Sequence, residues 1–358
     1  MTTALKWIAF FCGLAVVGWV AADTDLAAVI ADVTHLGGLG AVATLIVFYV
    51  GFAADAAAWA MMFETRVGLA RVYLVQTVGE AVNTLMPFGS LGGEPVKAMV
   101  LKRRYGVTYR ESTATLLLAQ AINTLAEVPF IGFGLTLVLA AGILPPLAET
   151  AMIVGAACVS GFIVLLFAML HLRLLIRIEQ RLAAGRWGEK LHRALGLVRD
   201  VEQRLFTFVR HRPLQFAAAL GLSFVTWLSG AVEVYVILRF LGANVTFQDA
   251  WMVEAAVVLA RNATFFIPAH MGSQDGATML VAGALTGSPE LGLALALVRR
   301  GREIFTSSIG LALGAWLGLK PGALEREVQD GQHDQDDAGK DIAEPPRANA
   351  VVNIKESI

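Results

Sequence analysis

Residues 88–106 read "FGSLGGEPVKAMVLKRRYG": four glycines and a Glu94–Pro95 pair, set between runs apolar enough to cross a membrane. Proline lacks a backbone N–H and holds φ near the helical value, so a helix restarts readily at Glu94–Pro95 after the glycines have broken the one before. Inside a bilayer such a break is tolerated only where the freed backbone groups meet protein or line a cavity. The stretch therefore predicts one arm of a buried site. A second break of the same kind, "LARNATFFIPAHMGSQDGA", follows at residues 259–277.

The 358 residues are 56% hydrophobic and 16% charged, with a mean hydropathy of +0.64. Soluble domains carry about 25% charged residues and lack apolar runs of about 20 residues. The chain thus reads as an all-α polytopic membrane protein. Apolar segments of spanning length fall at 5–22, 40–62, 112–141, 148–170, 214–240 and 290–318, about six full transmembrane spans. Two more, 70–105 and 250–287, are interrupted, the first by Pro87, Gly89, Gly92, Gly93 and Pro95 and the second by Pro268, Gly272, Gly276 and Gly283. Each predicts two short helices joined by a broken turn, a re-entrant hairpin. Lys6 and the "WVAADTD" ending of the first run resemble a signal peptide, but the length of the run favours an uncleaved span. Cys12 and Cys158 lie in apolar runs and read as packing residues.

Composition divides the chain further. Residues 1–170 form a first membrane repeat with its hairpin, the second repeat starting near 148. Residues 171–213 hold ten Arg or Lys and four Asp or Glu. Leu191, Leu195, Val198, Val201, Leu205 and Val209 recur there at helical spacing after Gly185 and Gly188, so amphipathic helices on the cytoplasmic surface are expected, with a solvated linker as the plain alternative. Residues 214–319 complete the second repeat with the second hairpin. Residues 320–358 are acidic and poor in aromatics, and a disordered cytoplasmic tail is expected.

Basic loops set the orientation. Lys6, Arg66, Arg71, Lys102 to Arg104, the 171–213 stretch and Lys320 are placed in the cytoplasm, and the nearly uncharged loops 23–36, 142–149 and 242–249 outside. Both termini are then cytoplasmic, and the first hairpin enters from inside while the second enters from outside. Span, span, hairpin, span occurs twice with opposite orientation, the inverted repeat that many transporters use. Sparse markers agree: Glu80, Pro87 and Glu94 are spaced by seven, as are Arg261, Pro268 and Asp275.

Ionisable residues kept in a membrane are costly and mark function by default. Glu80 and Asn83 share one helix face ahead of Pro87, and Glu94 sits at a helix N-terminus, where the dipole favours a carboxylate. Arg261 and Asn262 precede Pro268, and His270, Gln274 and Asp275 cluster at the second break. In "LALALVRRGREIFTSS", residues 293–308, Arg299, Arg300, Arg302 and Glu303 interrupt the last span. Arg299 lies nine residues past Glu290, about 13 Å into a core of about 30 Å. Two roles compete for these arginines: pairing with Glu80, Glu94, Asp275 or Glu303, or holding an anionic head group in the planar guanidinium fork. Asp55 and Glu233, alone in spans two and five, are further pairing candidates. Lys97 reads as a topology signal or a lipid-phosphate contact. The substrate-binding set is therefore Glu80, Asn83, Gly92, Gly93, Glu94, Arg261, Asn262, Asp275, Arg299, Arg302 and Glu303. The hairpin breaks are Pro87, Gly89, Pro95, Pro268, Gly272 and Gly276.

No "GxxxxGK[ST]", "GxGxxG" after a strand, "GxSxG" or "HExxH" occurs, and no second His stands at ligand spacing from His270. No cofactor, metal, nucleotide or nucleic-acid partner is expected, and no catalytic residue is assigned.

"GSLGGEPVKAMVLKRRYGVTYRESTATLLL" resembles the transmembrane region of the lysylphosphatidylglycerol synthetase family, and "RNATFFIPAHMGSQDG…LALVRRGREI" resembles its branch associated with hopanoid biosynthesis. The likeness covers most of residues 1–320. It implies a flippase-like module moving lipid between leaflets, with Gly92, Gly93, Glu94 and Pro95 as one motif and Pro268, Gly272 and Asp275 as the other. Two departures bear on the substrate: "LAQAINTLAE" offers Gln120 and Asn123 where members often carry charges, and Gln274-Asp275-Gly276 replaces the commoner Gln-Glu-Gly. The 40 residues after 318 are too few for an aminoacyl-transfer domain, so lipid aminoacylation by this chain alone is not expected.

The expected function is that of a bacterial inner-membrane, multi-pass protein that binds an anionic phospholipid, polyprenyl-phosphate or hopanoid-type lipid and moves it between leaflets. Membrane lipids are its partners, with lipid-biosynthesis enzymes as further ones. The alternative is a membrane enzyme or scaffold in hopanoid or polyprenyl lipid synthesis.

Overall fold

Among the described residues, prolines, glycines and small polar caps set the ends of eight helices of twelve residues or more. The computed structural model describes residues 26–65, 67–85, 93–143, 206–264 and 273–318, with isolated positions between 146 and 161. The helices are α1 (Leu26–Ala60), α2 (Leu69–Leu85), α3 (Glu94–Tyr105), α4 (Tyr109–Ala141), α5 (Pro213–Phe240), α6 (Phe247–Ala263), α7 (Ser273–Thr286) and α8 (Pro289–Trp316). Among the described residues no strand occurs.

Local chemistry explains the boundaries. Thr108 caps α4 by accepting the Glu111 N–H, and Thr246 and Asp249 form a reciprocal capping box on α6. Ser288 caps α8, with Pro289 at its first turn. Gly106 ends α3 at φ 71°, and the basic last turn Lys102–Arg104 faces the negative end of the helix dipole.

Among the described residues, three helices are long and apolar enough to span a membrane: Val33–Ala60 of α1, Tyr109–Ala141 and Pro213–Phe240. They fall on the expected spans 40–62, 112–141 and 214–240. Large apolar side chains such as Leu39, Val42, Ile46 and Val50 are exposed on α1, the surface a bilayer would cover. α8 occupies the expected span 290–318 at 28 residues, but its charges remove it from the apolar set. The loop expected over 23–36 is helical from Leu26, and the break lies instead at Gly37, where φ 60° and ψ 178° separate two helical pieces. The interrupted segments form helix pairs: α2 and α3, then α6 and α7. The expected first span 5–22, most of 148–170, the amphipathic helices up to residue 205 and the tail 320–358 lie outside the described residues.

α1 runs along α5, α2 packs on α8, and α4 packs on α6. α3 touches α2 and α4, while α7 touches α6 and α8; α1 also meets α8, as α5 meets α4. Small residues bring backbones together, as in other membrane bundles. A Cβ on Gly310 of α8 would press on Ala81 and the Thr77 carbonyl of α2, and one on Gly134 of α4 would press on Ala255 of α6. Gly310→Leu is therefore expected to cost about 1–3 kcal/mol by overpacking, read as a lowered thermal midpoint in detergent. Gly301→Ala, with nothing within 4 Å of its new methyl, leaves the midpoint in place or raises it.

Candidate functional site

Asn83, near the end of α2, accepts the backbone N–H of Gly93 through its Oδ1, which ties the first break shut from within its own arm. Gly93 has φ −87°, so left-handed backbone is not its reason. A Cβ there would fall on the Gly79 carbonyl oxygen and the Asn83 side chain. Glu94 opens α3 with Pro95 behind it, and its carboxylate accepts from Lys97 Nζ at 2.7 Å. The Lys97 stem lies across Gly79, where any side chain would block it, and its ammonium sits 5.9 Å from the Trp59 ring centre. The second break is bridged in the same place: Thr264, just past α6, shares a 2.7 Å hydrogen bond with Ser273 at the start of α7.

The arginines of α8 meet carboxylates from three other helices. Arg299 lies 2.8 Å from Glu254 of α6, and Arg302 lies 2.7 Å from Glu233 of α5. Arg300 donates to both oxygens of Asp275 in the first turn of α7, at 3.1 and 2.8 Å, and to Glu303 at 2.7 Å. Gly276 sits in that same first turn. Arg302 also stacks on Phe48 of α1 at 4.2 Å, and Arg261 stands 5.3 Å from the Trp227 ring. Glu233 and Glu254 side chains are only 4% and 6% exposed, so these ion pairs are within the bundle.

A cavity of about 440 Å³ opens at the centre, and all eight helices line it. Seven of the substrate-binding set read from the sequence reach it, Glu80, Asn83, Arg261, Asn262, Arg299, Arg302 and Glu303, and so do Asp55, Lys97, Glu233 and Gln274, which the sequence also singled out. Gly93 and Glu94 stand one contact behind, through Asn83 and Lys97, and Asp275 two contacts behind, through Arg300 and Glu303. Gly92, Pro87, Gly89, Pro268 and Gly272 lie outside the described residues. Other carboxylates of the lining are held by carboxamides. Gln76 donates to Asp55 at 2.6 Å, Asn83 donates to Glu80 at 3.3 Å, and Asn262 of α6 donates to Glu127 of α4.

A side cavity of about 170 Å³ lies between α1, α2 and α8 and shares Glu80, Arg261, Arg302 and Glu303 with the central one. Between α4, α5 and α6 aromatic rings pack together. Trp251 stacks on Phe130, 5.1 Å between centroids, and donates to its carbonyl, while Trp227 donates to the Asn123 carbonyl.

Sequence reading passed over Glu127, Glu254 and Gln76. Glu127 stands at the end of the quoted "LAQAINTLAE", two residues before Pro129 inside α4, and Glu254 follows the α6 cap by two turns. An acid in an apolar run was the available signal in both cases.

An all-helical bundle with long apolar helices around a cavity of ionised groups defines a multi-pass membrane protein. Residues 6–310 match the family model described as the lysylphosphatidylglycerol synthase TM region, and the chain belongs to that family. No curated protein and no solved structure matches it. Family and apolar helices together mark a membrane protein related to lipid handling.

Proposed function

We propose that the protein is a flippase-like transporter of the bacterial inner membrane, which holds a lipid head group in the central cavity and carries it between leaflets. The observation that carries this reading is the cavity itself: both broken hairpins and all the long helices converge on it, and it is polar where the spans are apolar. Short arms support re-entrant hairpins. The 17 residues of α2 and of α6 rise about 25 Å, and the 12 of α3 and 14 of α7 rise less, all short of a core of about 30 Å.

An inverted repeat accounts for the packing. Exchanging α1–α4 for α5–α8 maps each major helix pair onto another: α2 with α8 onto α6 with α4, and α1 with α8 onto α5 with α4. The caps Thr108 and Ser288, and the bridges Asn83 and Thr264, are 180 and 181 residues apart. The side cavity between α1, α2 and α8 is the passage through which hydrocarbon stays in the bilayer while the head group enters. The ring-packed counterpart between α4, α5 and α6 is the closed passage of this state. Both termini are cytoplasmic, no chemical step is assigned, and membrane lipids, phospholipid, polyprenyl-phosphate or hopanoid-type, are the cargo.

The test is transbilayer movement of labelled lipids in liposomes holding the purified protein. Wild type is expected to abolish leaflet asymmetry, and Glu94→Gln and the paired Arg299→Met/Glu254→Gln variant, which leaves no stranded carboxylate, to slow it at least about tenfold while still folding. Retained movement in both well-folded variants, or no movement by folded wild type of any of these lipids or of a glycolipid, overturns the proposal.

A further inference from the structure

We infer that the cavity takes a neutral, polyhydroxyl head group, a sugar or polyol on a lipid, in preference to a phosphate or an ammonium group. The inference rests on the reading of the cavity as a head-group site and names the chemistry of what binds there.

Charge comes first. The lining holds six carboxylates (Asp55, Glu80, Glu127, Glu233, Glu254 and Glu303) against four cations (Lys97, Arg261, Arg299 and Arg302). Three of those cations touch carboxylates at 2.7–2.8 Å. A phosphate entering here would meet net negative charge, and to reach the guanidinium of Arg299 or Arg302 it would have to displace a carboxylate, leaving that carboxylate buried and unpaired; Arg261, which stands on the Trp227 ring, is the remaining guanidinium in the lining.

Hydrogen-bonding capacity comes second. Nine neutral polar side chains join the lining, more than a single phosphate or ammonium can engage. The three carboxylate–carboxamide pairs each set acceptor lone pairs beside a second amide N–H. A hydroxyl both donates and accepts, so adjacent hydroxyls of a sugar or polyol match such a pair, whereas phosphate only accepts and ammonium only donates.

A third observation is independent of the acids. Gln76 is 4% exposed, and its Oε1 has no hydrogen-bond partner; the Asn123 Oδ1 is likewise buried and unpartnered. Both residues are in the cavity wall. Buried orphan acceptors are costly and call for a donor, and neither belongs to a group that needs a cation.

The experiment uses the full chain, reconstituted without glycosidic detergent, since a sugar-headed detergent would occupy the site. Short-chain hexyl glucoside, hexyl phosphate and hexylamine are added and the unfolding temperature is read by tryptophan fluorescence. In parallel, acyl-labelled glucosyl-diacylglycerol, phosphatidic acid and phosphatidylethanolamine of matched chains are followed across the bilayer. Hexyl glucoside is expected to raise the unfolding temperature most, and glucosyl-diacylglycerol to move at least about tenfold faster than the other two. Gln76→Leu and Asn262→Leu are each expected to lower the apparent glucoside affinity about tenfold, the loss of one or two hydrogen bonds. Equal response to the three probes overturns the inference, as does stronger response to hexyl phosphate or hexylamine. Stabilisation by hexyl glucoside without movement of any lipid supports the ligand class and overturns the transporter reading, so the two failures are distinct.

Discussion

Arg302→Met is expected to cost about 3–5 kcal/mol of stability, because it strands Glu233 as an uncompensated carboxylate inside the bundle. The expected readout is a large drop in the thermal midpoint and in the monodisperse fraction after detergent extraction. Glu233→Gln in the same chain is expected to restore most of the loss, since a pair removed together leaves no buried charge. Arg300→Met is milder, because its partners Asp275 and Glu303 are 17% and 33% exposed and keep some access to solvent. Should Arg302→Met melt with wild type and the double variant melt lower, the Arg302–Glu233 contact does not hold the bundle.

Gly93→Val has the second large expected effect, on the hairpin rather than on the whole bundle. Its side chain needs the space of the Gly79 carbonyl and of Asn83, and a backbone carbonyl cannot rotate away. The first hairpin is expected to open, the Asn83–Gly93 hydrogen bond to be lost, and lipid movement to fall to background. Hydrogen exchange checks this directly: amides in α2 and α3 beside the break lose protection while α4 and α5 keep theirs. Asn83→Ala is the graded control, leaving the Gly93 N–H without its acceptor at a cost of about 1–3 kcal/mol. Unchanged protection in Gly93→Val refutes the close approach as the reason for glycine.

Much of the helical layout was legible because its signals are local. Pro95 and the glycines before it announced the restart of α3, and apolar runs the spans of α1, α4 and α5. Gly37 escaped because a helix runs on both sides of it, so composition does not separate a loop from a kink there. The site was legible as a set of residue types and not as a set of pairs. Intramembrane charge flagged Arg299, Arg302 and Glu233, but which acid meets which arginine depends on helix order and rotation. Asp55 shows the limit: an arginine was the obvious partner, and Gln76, an unremarkable residue in sequence, is the one that reaches it. Glu127 and Asn262 are 135 residues apart, and only the packing of α4 on α6 joins them.

The three arginines of α8 also constrain how the molecule is made. Each costs several kcal/mol on an isolated helix at the bilayer centre, while the acids that neutralise them, Glu233, Glu254 and Asp275, arrive earlier in the chain, on α5, α6 and α7. Until α8 is made, Glu233 and Glu254 lack their arginine partners, and α8 is expected to enter the bilayer against helices already in place. Truncation before Arg299 is therefore expected to leave a bundle with uncompensated buried charge, less stable than the full chain.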